Sequence, residues 1–315
     1  MDVGVGYFNG VKVCVLVNGN FEEKDALAAA GVVRRVFKPL SIRPEDGFRR
    51  SMILTDGNFI HNRPLIDLQE TNNAVSYYIQ VRGDGRHTYP RLRLLDHILS
   101  EPTFNVLRTK EQLGYSVSCS SWKQVSVCGL IISVQSEKPA AFVEGRIDAF
   151  LTEYCDVLKT MEQGDYEKRR NGLVHAFREK LQNLEESDLF AGFITNGTYD
   201  FTFWDKLAQL VEKLTLADIV QFYEEFIHPD SPTRAKFSIH MHSGANTSSA
   251  NSFAEGPTAE SQTQETVSAV DKKGGKASLL KKETVIIDDI VAFKSGLQPS
   301  ELPKAAIELR PKFSS

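Results

Sequence analysis

Residues 100–135 read SEPTFNVLRTKEQLGYSVSCSSWKQVSVCGLIISVQ. Ser100-Glu101-Pro102 has the composition of a helix start, with an N-cap hydroxyl, a first-turn acid and a first-turn proline, and Gly114 has that of a stop. Phe104 and Arg108 are four apart and share one helix face, with Leu107 placed to anchor the turn. Past Gly114, Tyr115, Val117 and Cys119 alternate with Ser116, Ser118 and Ser120, and Val125 to Gln135 returns as a partner strand. The stretch therefore predicts a short capped helix running into a two-stranded hairpin. Arg108, Gly114 and Tyr115 fall at the junction, where rigid elements on both sides can aim a functional side chain.

Working outward, Leu92, Leu95, Ile98 and Leu99 form one stripe of a helix beginning near Tyr89, and His97 between them reads as a core or interface histidine. Strands are expected near 49–55, 58–62 and 73–82, the last with Val75, Tyr77, Ile79 and Val81 on one face. Valines 11, 13, 15 and 17 predict a further strand, followed by the turn Asn18-Gly19-Asn20 and a helix over 22–37 that ends in Arg34 and Arg35. Downstream, Phe142 to Met161, Tyr166 to Leu181, Leu189 to Ile194 and Phe203 to Leu214 read as helices. Thr215 with Asp218 caps a fifth, which closes at His228-Pro229 before a strand over Ala235–His242. Strands followed by helices, with one returning strand, imply an α+β fold in which helices pack on one face of a mostly antiparallel sheet.

The chain has 315 residues, 41% hydrophobic and 25% charged, enough to bury a sizeable core. A formal charge of -4 supplies no global basic field for nucleic acid, and no run of about 18 apolar residues suggests a membrane span. No signal-peptide pattern opens the sequence, so a cytoplasmic setting is expected. Cys14, Cys119, Cys128 and Cys155 are too scattered for a zinc knuckle or redox pair and read as free thiols. Residues 243–283 are dominated by Ser, Thr, Ala, Gly, Glu, Gln and Lys, which predicts a disordered insertion, and residues 284–315 are expected to pack back on the sheet as a tail.

Zinc hydrolysis needs two histidines and a carboxylate brought together, usually as H-E-x-x-H or its inverse. The histidines at 61, 87, 97, 175, 228, 240 and 242 make neither pattern. His240 and His242 can share a strand face but lack an evident third ligand, so a polar strand end is the reading and no metal site is assigned. No Gly-rich phosphate loop follows a strand, and no G-x-S-x-G elbow occurs. By spacing alone, Arg108 reads as a solvated helix residue and Tyr115 as an ordinary strand aromatic.

Residues 96–115, DHILSEPTFNVLRTKEQLGY, followed by GLIISVQSEKP at 129–139, resemble the insulin-degrading-enzyme-like, pitrilysin-type inverzincin family of metallopeptidases. VNGN near residue 18, the strands around 49–82, TLADIVQFYEEFIHPDS at 215–231 and IDDIVAFKSGL near the end are similar in the same order. The resemblance implies that residues 1–46 are the truncated end of a preceding α+β domain and 47–242 a C-terminal clamshell domain. It implies no cofactor bound by this chain, with zinc carried by a separate N-terminal half or homologous subunit. Peptides are the implied substrates, and neither nucleic acid nor membrane is a partner. Arg108 and Tyr115 become the implied catalytic and substrate-binding pair, with Phe104 lining a side-chain pocket and Gly114 permitting the turn that aims Tyr115. A guanidinium offers forked donors to a carbonyl, and a phenol can donate to an oxyanion. The alternative is a non-catalytic peptide-binding or assembly subunit that keeps the fold. One departure stands out: where relatives carry a basic Glu-Lys-Pro-Lys-like segment, this chain has Glu179-Lys180-Leu181-Gln182, which argues against a phosphate site there.

Overall fold

A computed structural model describes residues 13, 15–37, 50–67, 69–83, 87–124, 127–180, 182–244 and 283–302. Six strands form one mixed sheet: β2 (Gly57–Pro64), β3 (Asn73–Val81), β4 (Ser116–Gln124), β5 (Val127–Ser136), β6 (Ala235–His242) and β7 (Thr284–Ile286). Their order is β4-β5-β3-β6-β2-β7. The β4/β5, β5/β3 and β3/β6 pairs are antiparallel, while β2 runs parallel to both β6 and β7. A second, two-stranded sheet pairs β1 (Met52–Ile53) with β8 (Gln298–Pro299).

The period-2 pattern sets the inner face. Val75, Tyr77 and Ile79 of β3, Leu130, Ile132 and Val134 of β5, and Val117 and Cys119 of β4 are buried in one cluster. Against it pack α2 (Thr88–Thr103) through Leu92, Leu95, Ile98 and Leu99, and α3 (Ala140–Lys159) through Val143, Ile147, Phe150 and Leu151. Each fully buried aliphatic side chain contributes roughly 1.5–3 kcal/mol, so this single layer contact dominates the stability. The helices α4 (Gln163–Arg178), α5 (Asn183–Thr195), α6 (Phe203–Glu212) and α7 (Leu216–Phe222) complete the helical layer. As the sequence predicts, Thr215 and Asp218 close a reciprocal box at the start of α7: the Asp218 amide donates to Thr215 Oγ1 at 3.2 Å, and the Thr215 amide to Asp218 Oδ2 at 2.8 Å. On the other face, Phe293 of α8 (Ile290–Ser295) packs its ring 5.1 Å from Phe59 and 5.7 Å from Phe237, and the Ile287 amide donates to the Ile60 carbonyl at 2.7 Å. The fold is thus α+β, with a mostly antiparallel sheet, the main helical layer on one face and the short α8 against the other.

The structure corrects several expectations. No new helix starts at Ser100. The stripe carries on, with Leu99 and Thr103 buried, so α2 runs through Pro102 and Ser100 Oγ donates instead to the Cys119 carbonyl of β4 at 2.9 Å. Pro102 has no amide for the helical ladder, and Thr103 Oγ1 bonds back to the Leu99 carbonyl at 2.8 Å. A wide π turn follows over Phe104–Lys110, in which the Glu111 amide reaches five residues back to Val106 at 2.9 Å. His97 is exposed rather than in the core, because it points away from the stripe that flanks it in sequence. The free-thiol reading holds for Cys119, Cys128 and Cys155, with Cys119 paired to Ile132 and Cys128 to Lys123 across the hairpin, while Cys14 lies outside the described residues. Of the strand expected over 11–17, residues 11, 12 and 14 lie outside the described residues, and 13 and 15–17 are irregular rather than strand ahead of α1 (Glu23–Phe37). Of the insertion expected over 243–283, all but 243, 244 and 283 lie outside the described residues, as do 303–315 of the tail.

Candidate functional site

The π turn delivers Phe104 and Arg108 to the surface while Leu107 stays fully buried beneath them. Arg108 Cζ lies 4.8 Å from the Phe104 ring centroid and 5.3 Å from the Tyr115 ring centroid, so the guanidinium is held by two aromatic rings. Tyr115 is 86% exposed and Phe104 41%. Such exposed cation–π contacts are worth about 0.5–1 kcal/mol each, enough to bias the arginine rotamer without using its N–H groups. Among the described residues, neither the Arg108 guanidinium nor the Tyr115 hydroxyl has a hydrogen-bond or ionic partner. The structure therefore gathers Phe104, Arg108 and Tyr115 into one surface group with a free forked donor and a free phenol.

Between Arg108 and Tyr115 the backbone is fixed by contacts the sequence did not announce. Gln112 takes φ 51°, so the left-handed residue of the turn lies two positions before Gly114, which the sequence reading made the stop. Gly114 is needed for a different reason: a Cβ there would stand 1.8 Å from the Gln135 carbonyl oxygen, so the glycine lets the chain press against β5. The Leu113 amide donates to the Leu107 carbonyl at 3.0 Å, and Ser136 Oγ donates to the Leu113 carbonyl. Arg146 of α3 reaches across to Glu111 with two parallel bonds, Nε to Oε2 and Nη2 to Oε1, both 2.8 Å. That carboxylate holds the Arg146 guanidinium pKa above its ordinary value. Glu111 stands inside the motif, but nothing in the sequence links it to Arg146.

A second polar group is buried between α3 and β6. Glu144 pairs with both Lys236 and His240, and Arg234 bonds to Asp148 at 3.1 Å and to the Tyr77 hydroxyl. Arg234, Lys236, Ser238 and His240 alternate and are all buried, and two carboxylates one helical turn apart on α3 meet the three basic ones. Burial lowers the pKa of both Arg234 and Lys236. His240 is kept neutral by burial and by the Lys236 ammonium, and its ring lies 6.1 Å from that of His242.

The zinc site fails its test here. No three His, Cys, Asp or Glu side chains among the described residues could hold a metal ion. Glu144 is already engaged by both Lys236 and His240, and His242 bonds Asn62 at 2.8 Å. A cavity of about 300 Å³ is lined by Asn171, Val174, His175, Arg178, Glu179 and Glu212, with Arg178 engaged by Glu212 at 2.6 and 2.9 Å; no junction residue lines it.

Comparison with known proteins supplies the family. Residues 94–189 match the family model described as PQQ synthase PqqF-like, C-terminal lobe domain 4. Mug138 of Schizosaccharomyces pombe, named as a putative zinc protease, is 32% identical over 72% of this chain and 24% of its own length. Human insulin-degrading enzyme is 30% identical over 72% of this chain and 23% of its own length. The chain thus spans about a quarter of the length of these relatives. The crystal structure of pitrilysin superposes with a TM-score of 0.67 at 18% identity, covering 90% of this chain and 27% of that one, which shows the shared fold. By sequence and by fold together, this chain belongs to the insulin-degrading-enzyme-like, pitrilysin-type family of metallopeptidases.

Proposed function

We propose that this chain is the substrate-holding C-terminal part of a zinc metalloendopeptidase that cleaves peptides, inactive until it meets a zinc-bearing N-terminal half or homologous subunit. The observation that carries the reading is the free guanidinium of Arg108, held by the rings of Phe104 and Tyr115 on an exposed junction. Arg108 donates its fork to a substrate carbonyl, and the Tyr115 hydroxyl donates to the oxygen that gains charge as the scissile carbonyl becomes tetrahedral. Phe104 offers an apolar wall to the neighbouring substrate side chain. The zinc and its ligands lie, in this reading, outside the described residues. A cytoplasmic setting goes with it, supported by Cys119, Cys128 and Cys155 as unbridged thiols.

The test mixes the purified chain with a zinc-bearing N-terminal half of a relative and follows hydrolysis of a quenched fluorescent peptide. The expected result is activity in the mixture only, with Tyr115→Phe slowing turnover by about 10²–10³, the effect of losing one oxyanion donor, and Arg108→Ala weakening KM as well. Unchanged rates for both variants overturn the roles of Arg108 and Tyr115. Peptide binding without turnover under any pairing assigns the chain to the non-catalytic alternative.

A further inference from the structure

One turn of α3 reaches the candidate site from behind. Glu144 pins that turn to β6 and Asp148 pins it to Arg234 just ahead of β6, and Arg146 between them carries the bidentate bridge to Glu111. Glu111 is the first residue after the π turn that presents Arg108, and three residues ahead of Gly114. Between them, Gln112 sits at φ 51°, a conformation that a non-glycine residue keeps only where its neighbours are held on both sides. On one side the hold is the Arg146–Glu111 fork and the Glu111 amide on Val106; on the other it is Ser136 on the Leu113 carbonyl, with Gly114 against Gln135. Releasing the Glu111 end lets Gln112 relax toward negative φ. With Leu113 and Gly114 still held against β5, that rotation moves the Glu111 end and the π turn that carries Arg108, and so parts Arg108 from the Tyr115 ring.

We propose that Arg146 and Glu111 are a positioning pair that sets the mutual placement of Arg108 and Tyr115; the inference rests on the peptide-binding reading above and assigns its alignment to α3. A planar fork suits this role, since two parallel bonds fix the orientation of the carboxylate as well as its distance. Lysine in place of Arg146 keeps the charge and loses the orientation.

The experiment uses the full chain with 3-fluorotyrosine at position 115 and reads its fluorine resonance, the anisotropy of fluorescein-labelled insulin, and the thermal midpoint. Arg146→Met is expected to shift or broaden the Tyr115 resonance and weaken insulin binding roughly tenfold. Arg146→Lys and Glu111→Gln should give intermediate effects with a folded thermal transition. The exchanged pair Arg146→Glu with Glu111→Arg should recover part of both signals. An unchanged Tyr115 resonance in Arg146→Lys, Glu111→Gln and Arg146→Met overturns the proposal, as does a resonance change matched only by global unfolding. A shifted resonance with insulin binding unaffected, in these variants and in Tyr115→Phe alike, upholds the positioning role and overturns the peptide-binding reading on which it was built.

Discussion

Two of the arginine–tyrosine ring contacts among the described residues are equally close and serve opposite purposes. At the junction, Arg108 lies over Tyr115 at 5.3 Å in the open, with its N–H groups unspent among the described residues. In the interior, Arg234 lies over Tyr77 at the same 5.3 Å, is 2% exposed, and is bonded to Asp148, Asn58 and the Tyr77 hydroxyl itself. The interior pair is consumed by holding α3 to β6, and the surface pair leaves its donors for something else. Equal geometry therefore carries no functional meaning until the remaining hydrogen-bonding capacity is counted.

This contrast can be broken at its strongest point first. Glu144→Leu leaves Lys236 and His240 buried without their carboxylate, and should lower unfolding free energy by about 3–5 kcal/mol in a urea titration. A loss below about 1 kcal/mol would mean that the interior cluster is no more committed to the fold than the surface one. A smaller effect tests the same cluster through pH. His240 has its pKa lowered to about 4, so between the ordinary histidine value of about 6.5 and 4 the unfolded chain takes up a proton that the folded chain refuses. Stability should fall as pH drops through that window, by up to roughly 3 kcal/mol, and level off below it as far as this group is concerned. His240→Gln should flatten that part of a stability-against-pH curve; an unaltered slope would assign it to other groups. The smallest expected change lies at the surface: Arg108→Ala should move unfolding free energy by less than about 1 kcal/mol, the worth of exposed cation–π contacts. A larger loss in the same urea titration would show Arg108 to be a structural residue like Arg234.

The layers were legible in the sequence because the helix stripes and strand alternations are apolar and periodic. Leu92, Leu95, Ile98 and Leu99 on α2, and Val75, Tyr77 and Ile79 on β3, lie where period predicts. Phe104 and Arg108 were legible as neighbours for the same reason. Local signatures failed where packing outweighed them: the cap at Ser100 was overridden because the stripe on either side of it is buried, and the stop assigned to Gly114 fell to Gln112. Contacts set by tertiary structure left no trace. Arg146 meets Glu111 across 35 residues, and Glu144 meets Lys236 across 92, with nothing local to advertise either. The family resemblance reached Arg108, Gly114 and Tyr115 but was silent on the α3 side chains behind them.

The π turn at Phe104–Lys110 has a further consequence. A widened turn is what a helix forms when it holds one residue more than its ladder can seat, so the segment behaves as a phase shifter placed between α2 and the hairpin. Upstream of it, the helix is in register with the core; within it, Leu107 still anchors inward while Arg108 meets a tyrosine seven residues further on. In this corner, the difference between a chain that merely folds and one that also aims its side chains is a single residue of helical phase.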